Sequence, residues 1–82
     1  MTLGPLTVRF LDTEVTNYER DLLIRTASER TTGSEYFTFN VFNVRLDVDN
    51  QQVTVEDALD ANVEETSPLS DFLSALTSMN PR

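Results

Sequence analysis

The sequence has no cysteine, no histidine and no lysine. Without cysteine, no disulfide, thiolate zinc site or thiol nucleophile can form. Without histidine, the commonest general base and the commonest transition-metal ligand are missing. Without lysine, there is no Schiff-base amine, no phosphate-loop lysine and no acetylation site. A serine nucleophile therefore lacks its usual base partners. Glycine is scarce too: Gly4 and Gly33 stand too far apart to build a phosphate-cradling loop. These absences predict a protein that is not an enzyme, with no catalytic residue, no metal ligand set and no cofactor. The missing lysine also has a reading without function, a high-GC or salt-adapted source, because lysine is normally among the commonest residues.

Long apolar runs are absent as well. None approaches the roughly 20 residues of a membrane helix. The opening Met1-Thr2-Leu3-Gly4-Pro5 lacks the basic region and apolar core of a signal peptide. The expectation is a soluble, unexported, cytoplasmic protein, which the lack of cysteine fits. With 82 residues, the chain is expected to form a single domain over 1–82. A domain of this size buries roughly 60–65% of its chain surface. One such core supplies about 3–5 kcal/mol and leaves little room for an enclosed pocket.

Charge is what the sequence has in excess. The net charge is −8, and it is lopsided. Residues 1–45 carry six carboxylates against five arginines, whereas residues 46–81 carry eight carboxylates and no basic residue. This acidic half reads either as a solvated face that keeps the protein dispersed or as a recognition surface for a basic partner. Phosphate backbones and anionic membranes both require basic residues facing them. Direct nucleic-acid binding and membrane binding are therefore not expected.

Leu6, Val8 and Phe10 alternate with Thr7, Arg9 and Leu11, which predicts a strand over about 5–11. Residues 21–28 read as a second strand through Leu22, Leu23 and Ile24. A helix is the alternative there, because Thr16-Asn17-Tyr18-Glu19 has the form of a capping box. Residues 35–48 are the clearest strand signal. Phe37, Phe39 and Val41 mark one face, and Phe42, Val44, Leu46 and Val48 the other. The phase slips by one residue between Val41 and Phe42. A β-bulge near Asn40–Asn43 restores a single core face; alternatively both faces are covered, one by a second subunit. A turn at Asp49–Gln52 leads to a strand over 52–56. Residues 57–67 read as an acidic connector. Leu69, Phe72, Leu73 and Leu76 then mark a helix over 68–79, with Ser67 as its cap, Pro68 at its first position and Asn80-Pro81 ending it. These four residues have the spacing of groove-binding anchors, or they close the core of the sheet. The expected architecture is α+β: a small antiparallel meander of about four strands with one C-terminal helix packed on it. The expected core is Leu6, Val8, Phe10, Leu22, Ile24, Phe37, Phe39, Val44, Leu46, Val53, Val55, Leu69, Phe72, Leu73 and Leu76.

Few constellations could carry chemistry. A calcium loop counted from Asp47 needs glycine at position 6 and glutamate at position 12, where this chain has Gln52 and Ala58. Asp47 with Asp49, and Glu56 with Asp57, are candidate carboxylate pairs for acid–base work. In a strand, Asp47 and Asp49 would share a face about 6.7 Å apart. That pitch resembles the charge spacing of a nucleic-acid strand, so an acidic surface could occupy a nucleic-acid-binding site by mimicry. The expectation is a small acidic non-catalytic binding protein that engages a basic or nucleic-acid-binding protein, as an inhibitor or a neutralising partner of immunity or anti-defence type. Its candidate binding residues are Asp47, Asp49, Glu56, Asp57, Asp60, Glu64 and Glu65. The second reading is a structural subunit of a homo- or hetero-oligomer, motivated by the phase slip.

Overall fold

Leu6 and Phe10 lie four residues apart, a spacing shared by one face of a helix and by alternate positions of a strand. A computed structural model describing residues 3–78 resolves the choice. Pro5–Thr13 is a helix, α1, so the strand expected over 5–11 is corrected. Pro5 opens it, where a missing N–H costs nothing. Leu6, Thr7, Phe10 and Leu11 form its buried face. Val8, which alternation placed in the core, is 42% exposed.

Asn17–Glu29 is a second helix, α2, which corrects the strand expected over 21–28. The capping box is present, with the Thr16 N–H donating to Glu19 Oε1 at 2.9 Å. Leu23 is fully buried, and Ile24 and Ala27 pack beside it at helical spacing. The contiguous Leu22, Leu23 and Ile24 hid this face, because Ala27 is a weak apolar signal. Leu22 lies outside the core cluster.

Four strands follow: β1 (Ser34–Thr38), β2 (Phe42–Asp47), β3 (Gln52–Asp57) and β4 (Asp60–Pro68). They form one antiparallel meander in the order β1-β2-β3-β4. The strand expected over 35–48 is two strands joined by a reversal at Asn40-Val41, where the Phe39 N–H donates to Phe42 O at 2.8 Å. The reversal accounts for the phase slip. Phe37 pairs with Val44 on one face, with no bulge and no second apolar face at this point. The register shift lies elsewhere, between Glu56 and Asp57. The connector expected over 57–67 is corrected to β4. Its alternation carried no apolar signal because Glu65 and Ser67 face inward, opposite Val55 and Val53. Main-chain pairing with β3 holds this strand in place.

The last element is helix α3 (Leu69–Ser78). Pro68 ends β4 and does not open the helix, a one-residue difference. Residue 79 and the expected stop at Asn80-Pro81 lie outside the described residues. Leu69, Phe72 and Leu76 are buried, and Leu73 packs against them, so this face closes the core. All three helices lie on the face of the sheet that carries Phe42, Val44, Leu46, Val53 and Val55. The four-strand meander with a C-terminal helix packed on it is the α+β architecture expected, with two N-terminal helices added. Phe10 stands at the centre of the core. Its ring centroid is 5.3 Å from that of Phe39, 5.5 Å from Phe42 and 6.5 Å from Phe72. Burying one such ring stabilises the fold by on the order of 2–3 kcal/mol. Arg20 Nε donates to Leu76 O at 2.9 Å, tying α2 to the end of α3, where a cation favours the helix dipole. Among the described residues, no helix is long and apolar enough to cross a membrane.

Candidate functional site

A meander brings alternate turns to the same end of its sheet. The β1–β2 and β3–β4 turns therefore lie at one end, and the β2–β3 turn at the other. Five residue steps of β2 separate the two ends, on the order of 17 Å. Six of the seven acidic candidates divide between them, and the seventh, Glu65, lies along β4 opposite Val55.

Asp47 and Asp49 lie at the β2–β3 end, and both are held by the turn. Asp47 accepts from Asn50 Nδ2 at 2.9 Å and from the Asn50 N–H at 3.2 Å. The Asn50 side chain and then its backbone hold this carboxyl below its ordinary value. Asp49 is in the turn, not the strand, so the two do not form the strand-face pair expected from sequence. Its Oδ1 accepts the Gly33 N–H at 2.9 Å. Gly33 has φ 81, a left-handed conformation that favours glycine.

Glu56, Asp57, Asp60 and Glu64 gather at the other end. Glu56 and Asp57 point to opposite faces of β3, so the second expected carboxylate pair is not formed either. Glu56 accepts the Tyr36 hydroxyl and Asn43 Nδ2, the latter at 3.1 Å. The Tyr36 bond, then the Asn43 bond, holds its carboxyl below the usual range. Glu64 sits directly opposite Glu56 on the helix-free face. Like charges so placed repel one another. Asp57 accepts the Leu59 N–H at 2.8 Å, and Asp60 accepts the Asn62 N–H at 3.1 Å.

Glu65 faces the other way. It accepts the Thr7 N–H at 2.8 Å and the Thr7 hydroxyl at 3.0 Å. It thereby caps α1, whose own N-cap residue, Gly4, has no side chain to do so. Burial pushes this carboxyl up. The N–H groups of Thr7 and Leu6, followed by the Thr7 hydroxyl and Arg9, outweigh that and leave it lowered. A carboxylate at a helix N-terminus also suits the helix dipole.

On the helix-bearing face, beside Asp57, lies a hollow of about 360 Å³, lined by Arg9, Thr13, Glu14, Val41, Phe42, Asp57 and Leu59. It forms where the end of α1 meets the two turns. The Ala58 N–H donates to Val41 O at 2.9 Å, locking the turns together, and the Val41 N–H donates to Glu14 Oε1 at 3.3 Å. Phe42 is nearly buried, whereas Leu59 is 83% exposed on the rim. The Arg9 guanidinium lies 5.6 Å from the Phe42 ring centroid and 3.7 Å from Asp57. Of the lining residues, only Asp57 was a candidate from sequence. Arg9 and Glu14 come from a segment more than forty positions earlier, which no local pattern connects to Asp57. Leu59 did carry a signal: a large apolar residue inside Asp57-Ala58-Leu59-Asp60, too short a turn to cover it.

The chain matches no protein-family model, no curated protein and no solved structure.

Proposed function

We propose that this is a small non-catalytic binding protein whose turn-bearing end, at Asp57–Asp60, engages a basic protein. Proteins that themselves bind nucleic acid belong to the fitting class, and inhibition or neutralisation of such a partner is the role. One observation carries the reading: an exposed Leu59 beside an apolar hollow, with Glu14 and Asp57 lining it. Binding energy concentrates where an apolar anchor meets a pocket inside a polar rim. A carboxylate rim steers a basic partner inward and disfavours acidic ones. Nucleic acid and membranes stay outside the proposal, since Arg9 is the one cation among the residues lining the hollow, beside Glu14 and Asp57. The cytoplasm is its proposed location, on the absence of cysteine. The rival reading, a structural subunit, loses its original motive with the phase slip explained.

The test is a comparison of the native protein with a variant carrying Asp57→Asn, Asp60→Asn and Glu64→Gln. Asparagine keeps an oxygen for each turn N–H, so charge is removed with little change in shape. Immobilised native protein should retain a basic protein from lysate, and the variant should not. With that partner purified, association should slow steeply between about 50 and 500 mM salt, a span that shortens the Debye length several-fold. Equal retention by both forms, or an association rate indifferent to salt, sinks the proposal.

A further inference from the structure

The hollow already shows which cation it accommodates. Arg9 lays its guanidinium over the Phe42 ring and beside Asp57, at 5.6 Å and 3.7 Å respectively. A planar cation over an aromatic face with a carboxylate at its edge suits arginine better than lysine. The contact is also weakly held. The Arg9 side chain is 58% exposed, and an ion pair so open to water contributes little. Phe42, beneath it, is 2% exposed. Moving Arg9 aside would uncover an aromatic surface between Val41 and Leu59.

Resting on the reading above, we propose that the hollow recognises an arginine side chain of the partner, and that Arg9 holds its place in the free protein. Binding is then an exchange of one guanidinium for another. The incoming arginine stacks on Phe42 and pairs with Asp57, while Arg9 swings into solvent. Charge complementarity selects the occupant: Glu14 and Asp57 line the hollow, and the displaced Arg9 is the lining's one cation.

The probe is a blocked Gly-Arg-Gly peptide, with Gly-Lys-Gly and Gly-citrulline-Gly as controls, followed by NMR shifts of the Val41 and Leu59 amides. Arg9→Ala uncovers the ring and removes the charge. Arg9→Met removes the charge but keeps an apolar chain over the ring. The Ala variant should bind the arginine peptide roughly five- to tenfold more tightly than native protein, the combined scale of one exposed ion pair and one cation–π contact. The Met variant should gain less. Asp57→Asn should weaken the peptide, and lysine and citrulline should bind less well than arginine. Equal gains by the Ala and Met variants would reduce Arg9 to a simple repulsive charge and overturn the exchange. No gain in either, or lysine matching arginine, overturns it too. A basic partner that is lost with the Asp57, Asp60 and Glu64 changes but unaffected by Arg9→Ala would leave the binding function standing and remove only this inference.

Discussion

The two ends of the sheet hold the same residue type in different surroundings. At the β2–β3 end, Asp47 and Asp49 are tied to Asn50 and Gly33. Val48 is buried there, and the Leu69 N–H closes onto Gln51 O at 2.9 Å. At the β1–β2 and β3–β4 end, Asp57 and Asp60 each hold one nearby backbone N–H through a single oxygen, while Leu59 stands in water. Acidic content alone therefore does not mark a surface for binding. What separates the ends is whether apolar side chains are covered. A closed turn stabilises the fold. A turn that leaves a leucine uncovered beside a hollow offers apolar surface that a partner can cover.

The largest effect should come from the residue beneath the hollow. Phe10 supports the ring of Phe42 from below and packs on Phe72. Phe10→Ala should lower stability by about 3–5 kcal/mol. That is as much as a single small core supplies, about 3–5 kcal/mol. Urea denaturation followed by circular dichroism would register it as an unfolded or barely folded chain. A midpoint close to native would mean that the hollow and the core are not one packing unit.

Next comes Glu65, the acid that faces inward. Glu65→Ala removes a charged acceptor from the start of α1 and should cost about 2 kcal/mol. Its pH dependence has a definite sign. The folded carboxyl titrates below the ordinary glutamate value, so its contribution is complete above that value. It fades as pH falls through the lowered folded value. Native and variant midpoints should therefore differ at pH 7 and converge in strong acid. A gap that persists in acid would assign the loss to packing and not to charge. Gly4→Ala probes the same contact from the other side, since a Cβ there would stand 2.5 Å from the Glu65 carboxyl carbon. It should destabilise although Gly4 has an ordinary φ of −72.

These residues also show where the sequence was readable. Leu69, Phe72 and Leu76 repeat at helical spacing with no strand alternative, and α3 stands where they place it. Val53 and Val55 alternate as a strand should, and β3 forms there, although Thr54 between them is buried as well. At α1 the pattern fitted two periods at once, and the discriminating facts lie in Pro5 at the first position and in Thr7 and Leu11 on the buried face. β4 was hidden because its inward side chains are polar: Glu65 caps a helix, and Ser67 is buried opposite Val53. The candidate site was half readable. Asp57, Asp60 and Glu64 were nominated by charge. Arg9, Glu14 and Phe42 reach the hollow only through the packing of α1 on the sheet, which no local spacing encodes.

At the closed end, Asp49→Ala would leave the Gly33 N–H to water and should cost about 1 kcal/mol. Affinity for a basic partner should not change, because the turn lies on the order of 17 Å from the hollow. Thermal denaturation and a binding isotherm on the same variant separate these outcomes. Weaker binding with unchanged stability would transfer the recognition role to the wrong end.

The smallest effect on stability should be the most informative. Leu59 is 83% exposed, so Leu59→Ser removes almost no buried surface. Stability should stay within about 0.5 kcal/mol of native, as for most exposed substitutions. Binding should behave differently. A leucine at the edge of a hollow loses its water-facing surface when a partner docks, and burying such a side chain contributes about 1.5–3 kcal/mol. A loss of roughly tenfold or more in affinity is the expected result, seen in the dissociation rate because the carboxylates that steer association are untouched. Serine is preferred to aspartate here, since an added charge would strengthen steering and blur the result. A variant that keeps both its stability and its affinity would show that the exposed leucine is incidental. The two ends would then differ in appearance only.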